Sequence, residues 1–295
     1  MINLRIECFH RVLPADARTT HWPYFARGTA ITVEEFDDKL AHLSYHYELV
    51  DEAQVAEILD GGSSPYPACW ITFDDGYADV LDNAMEVIDR YDVRPSIFLT
   101  TRVLDGDWWP PVDRWYSALL KTRRKTLRLS YDEISECWDL CTEEGRTRAV
   151  VGELKRVYLE SDRIQRTGIF EFLCQSLVVN DVIDRVSPFL TYEDVTQLSS
   201  MGWYIGPHGH EHRLLPTQSP SELETEVVRS VETLDSMPLL NRSSWFAYSD
   251  GRHDRRVRQQ VARLLSPLGY DGALTIEGRM VKREDDPWST PRYIA

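Results

Sequence analysis

Ile71-Thr72-Phe73-Asp74-Asp75-Gly76-Tyr77 closes an apolar, β-prone run that begins at Cys69. Strand-forming residues that stop at two carboxylates and a glycine describe a strand carrying acid groups to the rim of an α/β fold, with Gly76 allowing the sharp turn. Far downstream a second short apolar run, Trp203-Tyr204-Ile205-Gly206-Pro207, leads into His208, and His212 follows with three residues between. One carboxylate and two imidazoles make a mixed oxygen and nitrogen donor set that suits a divalent transition metal such as zinc, with coordination positions left for water. The other carboxylate is then free to act as a base. An Asp-Asp-Gly alone is usually a turn; the matched histidine pair and the strand context turn the reading towards a metal-dependent hydrolase.

Around these two runs the chain alternates strand and helix signals. Leu4 to Phe9 alternates as a first strand. Thr32 with Glu35 is a capping-box signal for an amphipathic helix through Phe36, Leu40 and Leu43. Gly61-Gly62-Ser63-Ser64-Pro65 reads as a loop, Val80 to Tyr91 as a helix and Pro95 to Thr100 as the next strand. From about Leu104 to Pro188 the pattern turns Trp- and Pro-rich and then long, charged and helical, which predicts a helical insertion after the second barrel strand. The alternation resumes with a helix at Tyr192 to Ser200 and the histidine strand. Ser219-Pro220-Ser221-Glu222 opens a further helix, and Trp245 to Tyr248 and Gly272 to Thr275 are the last clear strands. The pattern suits an α/β barrel, whose active groups gather at the C-terminal ends of the strands. We expect one catalytic domain over residues 1–295 carrying the insertion at about 104–188.

Composition sets the class of partner. With 42% hydrophobic and 11% aromatic residues the chain can bury a substantial core. A net charge of −15 argues against nucleic acid or an anionic membrane as the main partner, and favours a neutral or cationic substrate over a polyanion. No stretch reaches the roughly 18 to 20 apolar residues needed to span a bilayer. Met1 leads straight into strand-like sequence without a basic, apolar and cleavage-site series, and the five cysteines are odd in number and scattered. These features set the expectation of a cytoplasmic protein with no disulfide framework, one that works on a biosynthetic precursor.

Thr72-Phe73-Asp74-Asp75-Gly76-Tyr77 and His208-Gly209-His210-Glu211-His212 resemble the first two motifs of the polysaccharide deacetylase family (NodB-like, carbohydrate esterase family four). Gly209 stands where that family usually has Ser or Thr. Phe9-His10-Arg11-Val12 resembles a first-strand motif of many members, Phe246-Ala247-Tyr248-Ser249-Asp250-Gly251 a degraded third motif, and Asp286-Pro287-Trp288 with Pro291-Arg292 the tail of a bacterial subgroup. The resemblance narrows the fold to a distorted (β/α)7 barrel. It implies Asp75, His208 and His212 as metal ligands, Zn2+ as the first choice of ion, and Asp74 as general base. It also implies the backbone N–H of Asp250 as an oxyanion donor and Tyr77 on the substrate side. The activity it implies is removal of an N-acetyl or N-formyl group from an amino sugar or glycoconjugate precursor. The alternatives are hydrolysis of a non-sugar amide or cyclic imide, and a decayed enzyme that only binds carbohydrate.

Two departures bear on the chemistry. No histidine follows His253, so the usual C-terminal acid motif is missing, and Ala247 stands where the third motif commonly begins with an arginine. One subgroup draws its acid from the first strand, which points to His10. Arg292, expected at the end of a strand-like segment, is the candidate for the missing cation. Other groups have plainer readings. His42 and His46 share a helix face without an acid motif nearby, and His210 lies off the ligand spacing. Cys137 and Cys141 read as a buried helix face, and Trp108-Trp109-Pro110-Pro111 as a sugar platform or loop packing.

Overall fold

Ala68–Asp75 is a strand buried at every residue, as expected of a near-continuous apolar run enclosed on both faces of a parallel sheet. The computed structural model describes residues 3–62, 66–180, 182–184 and 186–295. Seven parallel strands carry the architecture: β1 (Leu4–Phe9), β2 (Ala68–Asp75), β3 (Ser96–Leu99), β4 (Tyr204–Pro207), β5 (Trp245–Ala247), β6 (Gly272–Leu274) and β7 (Tyr293–Ile294). β7, β1, β2, β3 and β4 pair in that order, and β5 pairs with β6. Bonds outside the named strands continue the ladder. Ser243 N–H bonds Ile205 O ahead of β5, and Thr275 N–H bonds Thr290 O ahead of β7. The ring of neighbours therefore runs β1-β2-β3-β4-β5-β6-β7, the order of a distorted (β/α)7 barrel. A short strand at Glu48–Val50 also pairs with the start of β2.

The expected helix starts are present. Thr32 and Glu35 form the reciprocal capping box of the helix Val33–His46, and Ser219 with Glu222 that of Pro220–Asp235, with Pro220 at its first position. The helix expected over Val80 to Tyr91 begins as a wider π-type turn at Val80–Ala84 before an α-helix at Met85–Arg90. Of the expected loop at Gly61–Pro65, residues 63–65 lie outside the described residues. Phe9, Phe36, Phe73 and Trp203 pack on one another within the main core, with ring centroids 5.0 to 5.8 Å apart.

Glu52 is an exception inside this core. Its carboxylate is buried and accepts bonds from Ser244 N–H (2.7 Å) and Ser96 Oγ (2.9 Å). Burial raises its pKa to about 7 despite those donors. A raised carboxyl favours folding only while protonated, so this stability is present below the unfolded pKa near 4.5 and is lost as pH rises through about 7. Glu52→Gln should therefore melt higher than the parent at pH 8 and show little difference at pH 4.5. Thermal melts at the two pH values test this.

Contacts divide the chain into two compact units: the barrel, built from residues up to Leu13, Ile31–Gly106 and Pro188–Ala295, and a second formed by Pro14–Ala30 with Asp107–Ser187. The larger part of the second unit follows the third barrel strand and not the second, and the unit is not wholly helical, both contrary to the sequence reading. Thr126–Tyr131 and Ile134–Asp139 form an antiparallel hairpin, its register running from Thr126↔Asp139 to Tyr131↔Ile134. Leu127 and Leu129 face inward between exposed Arg128 and Ser130, a period of two hidden among the charges. The hairpin overturns the reading of Cys137 and Cys141 as a buried helix face, because both are exposed and Cys137 lies on a strand. Inside this unit Tyr24 Oη donates to Asp113 (2.8 Å) and Lys155 Nζ to Tyr116 Oη (2.7 Å). Trp109 is buried there while Trp108 is partly exposed.

Candidate metal and catalytic site

Strand ends bring the sequence-predicted residues together. Asp74 and Asp75 are the last residues of β2, and His208 follows β4. Asp75 Oδ1 lies 3.4 Å from His208 Nε2 and 3.3 Å from His212 Nε2. It is buried and makes no hydrogen bond among the described residues. His208 Nδ1 lies 2.9 Å from Ala247 O, and only a protonated Nδ1 can bond a carbonyl, so Nε2 presents its lone pair towards Asp75. A buried carboxylate oxygen and two imidazole nitrogens, all within 4.8 Å of one another, fit a divalent cation. Burial alone would raise the Asp75 carboxyl, but the two imidazoles hold it well below the usual carboxylate range.

The backbone here is strained. Asp75, His212 and Asp250 take φ of 75°, 52° and 54°, a region that costs a non-glycine residue on the order of 1–3 kcal/mol. Gly76 follows at φ 89°, where a Cβ would meet Leu99 Cδ2 at 2.9 Å.

Asp74 is fully buried and gripped by Arg292, whose Nη1 donates to Oδ1 (2.8 Å) and Nη2 to Oδ2 (2.6 Å). Arg292 Nη1 also donates to Thr72 Oγ1 (3.2 Å). Arg292, the candidate for the cation missing from the third motif, immediately precedes β7 instead of ending a strand. Burial pushes Asp74 up, but Arg292 and His208 overcome it and bring its pKa to about 2.

His10 sits just past β1 with a ring nitrogen within 4.8 Å of an Asp74 oxygen and of Cys8 Sγ. Its Nδ1 is buried without a hydrogen-bond partner among the described residues. Burial lowers its pKa, against the pull of Asp75 and Asp74. The segment is pinned next door, where Arg11 Nε (2.8 Å) and Val12 N–H (2.9 Å) both donate to Asp79. The turn Ser249–Gly251 adjoins the site through Ser249 Oγ, which donates to His208 O (3.3 Å). This turn carries Asp250.

Tyr77 follows the turn at Gly76. Its ring is buried, stacks on Phe189 at 5.0 Å and lies under the Arg11 guanidinium. His210 is buried and pairs with Thr101 Oγ1 (3.0 Å). His42 and His46 are exposed on their helix, their ring centroids 4.6 Å apart.

Glu226 escaped the sequence reading. Its buried Oε1 accepts from Glu211 N–H (2.7 Å) and Arg213 N–H (3.2 Å), the amides on either side of His212. Gly209, in the left-handed region, leaves room for that carboxylate, because a Cβ there would meet Glu226 Oε1 at 2.8 Å. The available signal was a glutamate within the apolar stripe Leu223, Val227, Val231 and Leu234. Glu226→Ala leaves two amides beside His212 without their acceptor. It should weaken metal affinity by about 10–100-fold, read by competition with a chelating dye.

The polysaccharide deacetylase family model matches residues 169–267. No curated protein sequence matches the chain. Among solved structures, the Streptococcus pyogenes deacetylase PplD in complex with acetate superposes with a TM-score of 0.61 at 14% identity, covering 99% of this chain and 92% of that one. IcaB from Ammonifex degensii gives 0.59 at 15% identity over 100% and 92%. A de-N-acetylase from Aggregatibacter actinomycetemcomitans gives 0.56 at 13% identity over 98% and 94%. At these identities the likeness establishes the fold.

Proposed function

We propose, from the match of residues 169–267 to the polysaccharide deacetylase family model, that this chain is a zinc-dependent hydrolase removing an N-acetyl or N-formyl group from an amino sugar or its glycoconjugate precursor. The observation that carries the reading is the convergence of Asp75, His208 and His212, with an Arg292-bound Asp74 beside them. Asp75, His208 and His212 would hold the ion, which when bound supplies Lewis acidity for activating water and polarising the amide carbonyl.

The chain's own groups do the rest. Asp74, kept ionised by Arg292, takes the proton of the attacking water at a carboxylate oxygen. His10, whose ring nitrogen is within 4.8 Å of that carboxylate, is neutral at rest, receives the proton and delivers it to the departing amine nitrogen. The strained turn at Asp250 offers its backbone N–H to the developing oxyanion.

A negative protein surface suits a neutral or cationic sugar. Among the described residues no helix is long and apolar enough to cross a membrane. A cytoplasmic site of action on a free, nucleotide-linked or lipid-linked precursor remains part of the proposal. Acetate release from N-acetylated oligosaccharides, nucleotide sugars and small amides, with and without a chelator, tests it. Release from sugars that stops with chelation is the expected result. Turnover of small amides alone would replace the substrate class, and metal binding without any turnover would sink the enzymatic reading.

A further inference from the structure

A second donor set stands beside the Asp75 triad and is not used as one by the mechanism. Cys8 Sγ, a ring nitrogen of His10 and a carboxylate oxygen of Asp74 all lie within 4.8 Å of one another. Strand geometry produces the set. Cys8 and His10 are two residues apart where β1 ends, so both project to one side, and β1 runs in register with β2 from Leu4↔Ala68 to Phe9↔Phe73. Asp74 follows Phe73 on the neighbouring strand. Cys8 Sγ already points at the carboxylate, donating to Asp74 Oδ2 at 3.3 Å. His10 Nδ1 is a buried polar atom with no partner among the described residues. Cys8 and Asp74 are wholly buried and His10 is partly exposed, so His10 marks the way in from solvent.

A thiol, an imidazole and a carboxylate are the ligand types that zinc accepts together, and cadmium shares the preference with a stronger pull towards sulfur. We propose that Cys8, His10 and Asp74 form a second metal site that takes zinc when the ion is in excess. Filling it breaks the Cys8 S–H bond, sends that proton to solvent and forms a metal–sulfur bond, with no change of oxidation state. The Arg292 guanidinium lies against the same carboxylate and repels an incoming cation, which makes this site the weaker of the two. An ion held here occupies the proposed base and the proposed acid at once, so excess zinc switches turnover off. That consequence rests on the hydrolase reading given above; the binding itself does not.

Cadmium is the probe, because its bond to a thiolate gives an ultraviolet charge-transfer band. Exposed Cys137 and Cys141 and half-buried Cys174 are first replaced by serine, so that a band cannot come from them. With the Asp75 site already loaded with zinc, cadmium titration of this background should produce the thiolate band. Cys8→Ala should abolish it, and His10→Ala should retain it with at least tenfold weaker binding. Excess zinc should inhibit the background protein, and Cys8→Ala should raise the inhibitory concentration at least tenfold, each measured against that protein's own uninhibited rate. Absence of the band in the background protein, or its persistence in Cys8→Ala, overturns the proposal, and neither reading needs a substrate. Should the band appear as expected in a protein that turns over no amide, the metal site stands and the hydrolase reading falls.

Discussion

Asp74→Asn should lower kcat/KM about a hundred- to ten-thousand-fold while the protein keeps its metal, the loss expected when a positioned base is removed. The three proposed metal ligands do not include Asp74, whose Oδ2 is 3.9 Å from His208 Nε2. Asparagine fills the same volume and can still accept from Arg292 at one oxygen, but it leaves the buried guanidinium without a charged partner, so thermal melts must show that the variant is folded at the assay temperature. Asp75→Asn is the contrasting variant. It removes the charge between the two imidazoles and should lose metal and activity together. Acetate release, alongside metal content after dialysis, separates the two. Equal metal loss in both variants would mean that Asp74 is a ligand and not a base.

Arg292→Met should be the most destabilising single change near the site, costing about 3–5 kcal/mol, because it strands a buried carboxylate without its partner. Arg292 and Asp74 are both fully buried and joined by two charged hydrogen bonds. The pH dependence follows with a definite sign. Asp74 is held at about 2, below its ordinary 3.8, so its contribution to stability is present above 3.8 and is lost as pH falls through about 2. Without Arg292 the effect of burial dominates and the carboxyl rises. An acid limb should then appear in kcat/KM at higher pH than in the parent, where Asp74 stays ionised through the whole working range. Arg292→Lys should recover part of the stability but not the two-pronged grip, since an ammonium is a point donor. Asp74→Asn combined with Arg292→Met should be more stable than Arg292→Met alone. Urea unfolding of the four proteins, with pH–rate profiles, checks each statement.

The ring of parallel strands and the candidate metal triad were legible because they depend on local patterns. Apolar runs ending in Asp74-Asp75-Gly76 and in His208 declare both a strand and what its end carries. Arg292 was visible only as a candidate, since nothing local to Pro291-Arg292 says that its guanidinium will meet a carboxylate from β2. Glu226 and Cys8 were missed for the same reason, each making its decisive contact with a segment distant in sequence. The hairpin at residues 126–139 was obscured by its charged outer face, which reads as helical when the alternation of Leu127 and Leu129 is overlooked. The setting of Tyr77 was legible only in part. Its place beside Gly76 follows from the motif, but the packing of its ring was decided by Phe189 and Arg11.

The dependence of Asp74 on Arg292 also has a consequence in time. Arg292 lies 218 residues after Asp74, next to the strand that docks on β1. During synthesis Asp74, Asp75, His208 and His212 emerge well before it. A nascent chain can therefore gather the candidate metal donors while Asp74 still lacks its counter-ion, which arrives only with the segment that carries Arg292. The Asp74–Arg292 pair thus waits for a segment made 218 residues later.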